Sequence, residues 1–218
     1  MFRIQRFGWF CGIVRSNWLK NFVLLGAWLT AILLGMSGML AHRYASGAIA
    51  INSAWPLQSK LSLHPSERTL LVFLHPQCPC AAATVEEISR MLAKAGQQAD
   101  LQLVVFRPEN QSQEWSETPT IQRAQLLGAS RCWDDVNGRI ASQFHVSTSG
   151  QVLLFETDGR LLFNGGVTDS RGHQGDNPNA DALIQLLMQS SQNMQQTVVR
   201  DVFGCEITPA IAPAGEPL

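Results

Sequence analysis

Aspartate and glutamate are absent from the first 43 residues of this 218-residue chain, which carry five basic side chains. Within this region, residues 22–41 contain no charged side chain at all. An apolar run of about 20 residues is long enough to cross a bilayer as a helix. Because four of the basic residues precede the run, the positive-inside rule predicts a single-pass membrane protein. Its N-terminus would be cytoplasmic and the rest of the chain would lie outside the cytoplasm.

A secretory signal peptide is the alternative interpretation of the same run, since small residues are frequent at positions 45–48. The apolar core of a signal peptide is normally shorter, about 7–15 residues. The sequence therefore favours a retained transmembrane helix. Both interpretations export the C-terminal part of the chain to a compartment where disulfides persist.

A basic stretch with interleaved aromatic residues is also lacking after residue 43, where 11 basic side chains stand against 17 acidic ones. Such a stretch is the usual footprint of nucleic-acid binding, so nucleic acid is not expected as a partner. The chain divides into a cytoplasmic segment, a transmembrane helix, a linker, an α/β domain and a tail. Their predicted ranges are 1–21, 22–41, 42–65, 66–192 and 193–218.

Two cysteines follow an apolar run, residues 70–74, that Pro76 ends. The run predicts a buried parallel strand, and Cys78 and Cys80 come where a helix starts. We expect Cys78 at the N-cap, Pro79 at the first helical position and Cys80 in the first turn. Unpaired N–H groups and the helix dipole favour thiolate there, which predicts a reactive pair at an exposed turn.

Hydrophobic periodicity predicts a central mixed sheet flanked by helices. Thr157-Asp158-Gly159 between two apolar runs predicts a hairpin. Three prolines in the last ten residues argue against regular structure in the tail. The predicted strands are 70–74, 101–106, 130–133, 152–155 and 161–163, and the predicted helices are 79–95, 120–127, 135–144 and one from about 179.

This order of elements, with cysteines at the start of the domain's first helix, resembles the thioredoxin superfamily over residues 66–192. The insertion after the second strand is most similar to its peroxiredoxin and membrane-anchored TlpA-type branch. The spacing from Phe73 to Cys78 is similar to that between the family's aromatic residue and its nucleophile, which implies that Cys78 is the nucleophile. The His-Pro-x-Cys-Pro-Cys start, the Arg-Gly-His loop at 171–173 and the Phe-Gly-Cys tail look like a bacterial membrane-anchored, RedB-like group. This resemblance implies that the chain is anchored in the bacterial inner membrane with its domain on the periplasmic side.

Three positions depart from the family pattern. The family's second cysteine lies three residues after the first, where this chain has Ala81. Gly150 stands at the position of the family's cis-proline, which leaves the pairing of a substrate backbone open. His75 stands where the superfamily's peroxidases need a threonine, which argues against peroxide reduction.

We therefore predict a thiol–disulfide oxidoreductase that acts on protein thiols or disulfides and needs no cofactor. Cys78 attacks a partner disulfide, and Cys80 or Cys205 resolves the mixed disulfide by exchange. A disulfide across a single residue departs from the preferred Cα separation of about 5.5 Å, so Cys80 alone is a poor resolver. The residues expected to bind or support are His75, Pro76, Gly150, Arg171 and His173.

Two other functions remain open at this stage. Cys78, Cys80 and His75, with His173 or Cys205 brought in by folding, could hold a soft metal such as Cu(I), although the spacing is not a standard zinc pattern. A protein-binding module that has lost turnover is the third possibility, because the second family cysteine and the cis-proline are both missing.

The remaining cysteines differ in what the sequence predicts for them. Cys205 lies in the tail with no evident core to join, and a flexible tail brings a thiol to the site at a cost that grows slowly with length. Cys132 is predicted to be structural, buried and inert, or paired with Cys205. Cys11 precedes the membrane span and cannot reach exported thiols.

Overall fold

A long N-terminal helix, α1, runs from Phe10 to Arg43 in the computed structural model, which describes residues 10–49, 54–96, 98–189 and 196–207. Within these ranges it is the one helix long and apolar enough to cross a membrane, over Trp18–Arg43 with a mean hydropathy of 2.0. A signal sequence fits the same length and composition. The chain divides after Arg43, and Tyr44–Leu218 forms a second unit.

The second unit is built on a six-stranded mixed sheet in the order β3-β2-β1-β4-β5-β6. Its strands are β1 Arg68–Leu74, β2 Ala99–Arg107, β3 Arg131–Val136, β4 Gln151–Phe155, β5 Leu161–Gly166 and β6 Val198–Val199. Its helices are α2 Ala81–Ala95, α3 Pro119–Gln125, α4 Arg139–Gln143 and α5 Pro178–Met188, with a 3₁₀ turn at Gln113–Ser116.

The strand directions follow the predicted mixed α/β arrangement. β1 is parallel to β2 and antiparallel to β4. β4 and β5 form the predicted hairpin, with a register shift between Leu154 and Phe155. All seven residues of β1 are buried because the strand lies in the middle of the sheet with side chains packed on both faces. β1 therefore ends, at Leu74, inside the domain.

Residues 42–65 were expected to be a linker, but the first two residues of this range belong to α1, and some of its later side chains pack on the domain. Trp55 makes edge-to-face contacts with Phe144 and Phe155, at centroid distances of 5.0 and 4.9 Å. Leu61 is buried among the same side chains. The apolar residues of this segment have no period, yet Trp55 and Leu61 pack against core side chains on one face of the sheet.

The tail was expected to lack regular structure and a core, which is wrong for its first part. β6 pairs in parallel with β5, from Phe163 to Val198 and from Asn164 to Val199. Val202, Phe203 and Ile207 are buried. The prolines on which the expectation rested begin at Pro209, beyond the described residues.

Two adjacent glycines at the end of β5 allow the backbone of the tail to lie directly against this strand. A Cβ on Gly165 would lie 2.3 Å from the carbonyl oxygen of Arg200, and one on Gly166 would lie 2.9 Å from that of Asp201. The backbone of Gly166 donates to the Asp201 carbonyl at 3.1 Å. The glycine pair thus directs residues 200–204 across the end of the sheet, towards the two cysteines that follow β1.

Candidate active site

Cys78 lies in a tight turn between β1 and α2. Its backbone N–H donates to the His75 carbonyl at 3.0 Å, and its own carbonyl accepts from Ala81 at 3.1 Å. The turn delays the helix, so Cys80 rather than Cys78 occupies the N-cap, without a side-chain capping bond. Cys78 is only 3% exposed, which corrects the expected exposed turn, while Cys80 is half-buried.

The tail places Cys205 directly beside Cys78. The backbone N–H of Cys205 donates to the sulfur of Cys78, with the nitrogen 3.3 Å from Sγ. The carbonyl of Cys205 accepts from the backbone N–H of Ser149 at 2.8 Å. A segment 127 positions later in sequence is thus fixed by its backbone against the first thiol.

Residues 147–149, just before β4, provide the edge on which Cys205 rests. Glu206 forms an antiparallel bridge with Thr148, and the backbone N–H of Ile207 donates to the Ser147 carbonyl at 2.8 Å. A Cβ on Gly204 would lie 1.8 Å from the Ser149 carbonyl oxygen, a distance no side chain tolerates. Gly204 therefore has to be glycine for the tail to lie on this edge.

Gly150 follows this edge and takes a left-handed conformation, with φ at 89°. Its backbone N–H donates to the carbonyl of Phe73 at 2.7 Å, and a Cβ there would lie 2.7 Å from Oγ1 of Thr84. Positive φ and close packing both favour glycine. No cis peptide bond occurs in the described ranges, so the position aligned with the family's cis-proline is filled by a left-handed glycine.

The three thiols differ in how their surroundings shift their pKa values. Burial raises the pKa of Cys78, but hydrogen bonds from the Cys205 thiol and from the backbone N–H groups of Cys205, Cys80 and Ala81 outweigh it, so this pKa lies below its ordinary value. Burial and the hydrogen bond to Cys78 raise the pKa of Cys205 to about 12. Burial and the charge of Cys78 also raise the pKa of Cys80. Of the three thiols, Cys78 therefore ionises most readily.

Arg171 lies next to both the tail and Cys80. Its Nη1 donates to the carbonyl of Gly204 at 2.7 Å. Its charge and a hydrogen bond partly offset the rise in the pKa of Cys80. The structure thus places Arg171 where it holds the segment that carries Cys205.

The two histidines singled out from the sequence are engaged with other groups. The His75 ring stacks on Phe106 at 5.1 Å and meets the edge of Trp115 at 5.6 Å. Burial lowers the pKa of His75, which keeps the ring neutral near pH 7. Nδ1 of His173 lies 2.5 Å from a carboxylate oxygen of Asp169.

The backbone around His75 supports the turn. Its N–H donates to Oγ of Ser149 at 2.9 Å, and its Nδ1 accepts from the backbone N–H of Gln77 at 3.1 Å. Pro76 is buried at the start of the turn. In the part of the chain that the structure describes, no group of three or more His, Cys, Asp or Glu side chains is arranged to hold a metal ion.

Cys132 is exposed, so the expectation of a buried, inert cysteine is wrong. It lies on β3, an edge strand on which every residue except Asp135 is exposed or half-buried, and its sulfur is 3.6 Å from Nε2 of Gln125. Burial of Cys132 was inferred from its apolar neighbours in the sequence. The side chain is exposed because β3 lies at the edge of the sheet. Cys11 belongs to α1, in the other unit.

Sequence reasoning missed Ser149 and Gly204, which fix the tail at the site. Two features of the sequence could have indicated that the tail packs at the site: the Gly165-Gly166 pair after a strand, and the Gly-Cys pair in the tail. Both mark close approaches of backbone to backbone, as glycine often does.

Comparison with known proteins supports the fold. No family model and no curated protein matches the sequence. A hypothetical protein from Sinorhizobium meliloti is 18% identical, with a TM-score of 0.51 over 76% of this chain and 100% of its own. An uncharacterized conserved protein from Geobacillus kaustophilus is 16% identical, with a TM-score of 0.49 over 79% of this chain and 95% of its own.

Structures of thioredoxin-like proteins are also among the matches. A secreted Mycobacterium tuberculosis disulfide oxidoreductase, described as homologous to E. coli DsbE, is 15% identical over 56% of this chain and 80% of its own, with a TM-score of 0.38. At 18% identity the similarity to the Sinorhizobium meliloti protein concerns the fold alone, and no conclusion is based on the matches with a TM-score below 0.5. The chemistry has to be argued from the thiol cluster itself.

Proposed function

We propose that this chain, a protein of thioredoxin-like fold, is a membrane-anchored thiol–disulfide oxidoreductase that works outside the cytoplasm with Cys78 as its nucleophile. One observation carries the proposal: the sulfur of Cys78 accepts a backbone hydrogen bond from Cys205, whose own thiol lies against it. Thiolate is the nucleophilic form of cysteine, and the environment of Cys78 lowers its pKa.

In the first step, the Cys78 thiolate attacks one sulfur of a disulfide in a partner protein. A new S–S bond joins Cys78 to the partner, and the partner's other sulfur leaves as a thiolate that takes a proton from water. In the second step, a resolving thiolate attacks Sγ of Cys78, and the partner's remaining sulfur leaves. The partner gains two electrons, and the protein ends with one internal disulfide. The reverse sequence oxidises a dithiol by the same bonds.

Cys205 is suited to the second step because its protonation responds to the first. While Cys78 is a thiolate, its hydrogen bond and its negative charge both help to hold the pKa of Cys205 at about 12. Formation of the mixed disulfide removes that charge and that acceptor. Burial still raises the pKa of Cys205, but these two contributions of Cys78 are gone, so Cys205 loses its proton more readily after the first step than before it.

Cys80 is half-buried and has a raised pKa, so it is a weaker nucleophile than Cys78 in the reduced protein. Its position two residues from Cys78 requires a strained ring for a direct disulfide. We assign it a role after the Cys78–Cys205 disulfide has formed, as the thiol that exchanges with that bond. Arg171 supports this role because it favours the Cys80 thiolate.

Thiolate ligands also select Cu(I), so copper binding by thiols of this site is the second candidate function, although the described residues contain no group of three His, Cys, Asp or Glu side chains arranged to hold a metal ion. The observation in its favour is the mutual electrostatic interaction of the three thiols. The two histidines of the expected metal set are engaged with aromatic and carboxylate groups. Anaerobic titration of the reduced protein with Cu(I) decides between the two: tight binding of one ion that Cys205→Ala abolishes would favour copper handling.

The proposed location is tested by reporter fusions to the full N-terminal region. Alkaline phosphatase fused after residue 60 is expected to be active, because four basic and no acidic residues precede the apolar run. A cytoplasmic reporter at the same position is expected to be inactive. Extraction of the full chain with alkaline carbonate is expected to leave it in the membrane pellet. Activity of the cytoplasmic reporter would contradict export, and release by carbonate would indicate a cleaved signal sequence.

A further inference from the structure

Residues 198–207, which we call the strap, lie across the thiol site as an extended segment. Cys205 accepts a backbone hydrogen bond from Ser149, Ile207 donates one to Ser147, and Glu206 bridges to Thr148. These contacts are those of an added antiparallel strand. The edge at 147–149 borders Cys78, so the strap fills the backbone positions next to the nucleophile.

The strap is fixed from several sides. Its start pairs with β5, and the carbonyl of Gly204 accepts from Arg171. The carbonyl of Val202 accepts from the backbone N–H of Gly47 at 2.8 Å, in the segment that follows α1 in sequence. These contacts act together with the burial of three strap side chains: Val202, Phe203 and Ile207.

This cover explains the burial of the nucleophile. A cysteine that exchanges with a protein disulfide has to meet the incoming sulfur, yet Cys78 is 3% exposed. The nitrogen of Cys205 lies 3.3 Å from its sulfur, which leaves no room for another sulfur on that side. Access from that side therefore requires the strap to move.

We propose that the strap is a built-in occupant of the partner-docking edge and that it leaves residues 147–149 before a protein partner reacts with Cys78. The inference rests on the proposed redox function and adds a gate to it. The occupant that replaces the strap is an extended, cysteine-containing segment of the partner protein. Such a segment can use the same backbone groups, as in recognition by strand addition.

Competition for one edge couples two events of the cycle. When Cys205 returns to attack the mixed disulfide, the strap reoccupies Ser147 and Ser149. The same movement takes the backbone partners away from the docked segment. Resolution of the mixed disulfide and release of the partner are therefore one event.

Gly204→Ala is the direct test, because the added Cβ would lie 1.8 Å from the Ser149 carbonyl and forces the strap off the edge. The reduced, full-length protein in detergent micelles is treated with a maleimide attached to a bulky polymer, and modification of Cys78 is followed by mass spectrometry. Rates are compared at the high-pH plateau of each profile, where Cys78 is fully ionised, so that a change in the pKa of Cys78 does not alter the comparison. Gly38→Ala is the matched control, because its Cβ would meet no atom within 4 Å.

The plateau rate for Cys78 is expected to rise by about tenfold or more in Gly204→Ala, since the reactive fraction is small while the strap is closed. Ile207→Asp, which places a charge at a buried strap position, is also expected to raise the plateau rate for Cys78. It replaces Gly204→Ala in the test if that variant does not fold. Gly38→Ala is expected to match the wild type. A wild-type plateau rate equal to that of the strap variants would overturn the gate. The redox function fails by a different result, namely that no disulfide forms between Cys78 and Cys205 on oxidation.

Discussion

Replacement of Cys78 by serine is expected to abolish disulfide exchange while leaving the fold intact. Serine keeps nearly the shape of cysteine, but its hydroxyl does not form a disulfide. Loss of a covalent nucleophile commonly costs about 1000-fold or more in rate. The measurement is the reduction of insulin by the full chain in detergent with a dithiol as electron source, with circular dichroism as the check on folding. Activity of the folded variant above about one tenth of wild type would contradict the assignment and would point to another thiol.

The pH dependence of the same site gives an independent readout. Because the hydrogen bonds from Cys205 and the turn hold the pKa of Cys78 below its ordinary value, its alkylation by iodoacetamide is expected to reach half-maximum at a lower pH than that of free cysteine. In Cys205→Ala, which removes the thiol donor, the midpoint is expected to move up. A midpoint that does not respond to Cys205→Ala would mean that the Cys205 thiol does not stabilise the thiolate.

Removal of the resolving thiol is expected to arrest the cycle at the mixed disulfide. Cys205→Ala leaves only Cys80 to attack Cys78, across a single residue and with a raised pKa. Turnover with insulin is expected to fall by at least about tenfold, because a well-placed intramolecular thiol is lost. A covalent adduct of the protein with an insulin chain is expected to accumulate on non-reducing gels.

Cys132→Ala is the matched control for this experiment. Cys132 is the exposed cysteine on the edge strand β3, outside the thiol cluster. Its removal is expected to leave both turnover and the adduct level unchanged. Equal turnover in the two variants, without an adduct in Cys205→Ala, would exclude Cys205 from the reaction.

The fold was predictable because its central strands carry strong local signals. The apolar runs that became β1, β2, β4 and β5 are ended by proline, glycine or polar residues, and the Asp-Gly turn fixed the hairpin. The sequence placed Val85, Ile88, Leu92 and Ala95 on one apolar face of α2. The first two are buried and the other two are half-buried against the core, while Met91, which that face did not include, is buried as well. Local pattern and tertiary packing agree in this part of the chain.

The packing of the tail and of the segment before β1 was not predictable, because these segments carry no strong local signal. Neither has a period, and their order comes from long-range contacts such as Trp55 with Phe155 and Cys205 with Ser149. Cys78 illustrates the same limit at the site. Its place after β1 followed from the sequence, but its burial depends on a strap that begins 120 residues later.

The central claim is that Cys205 and Cys78 work as one redox pair, and a disulfide between them tests it most directly. Cys80→Ala, oxidised mildly and digested with trypsin under non-reducing conditions, is expected to yield residues 69–90 linked to residues 201–218. The proximity of the Cys205 backbone to the Cys78 sulfur, 3.3 Å, is the basis for this expectation. Recovery of the 201–218 peptide only with a free thiol, or linked through Cys132 to residues 132–139, would contradict the claim.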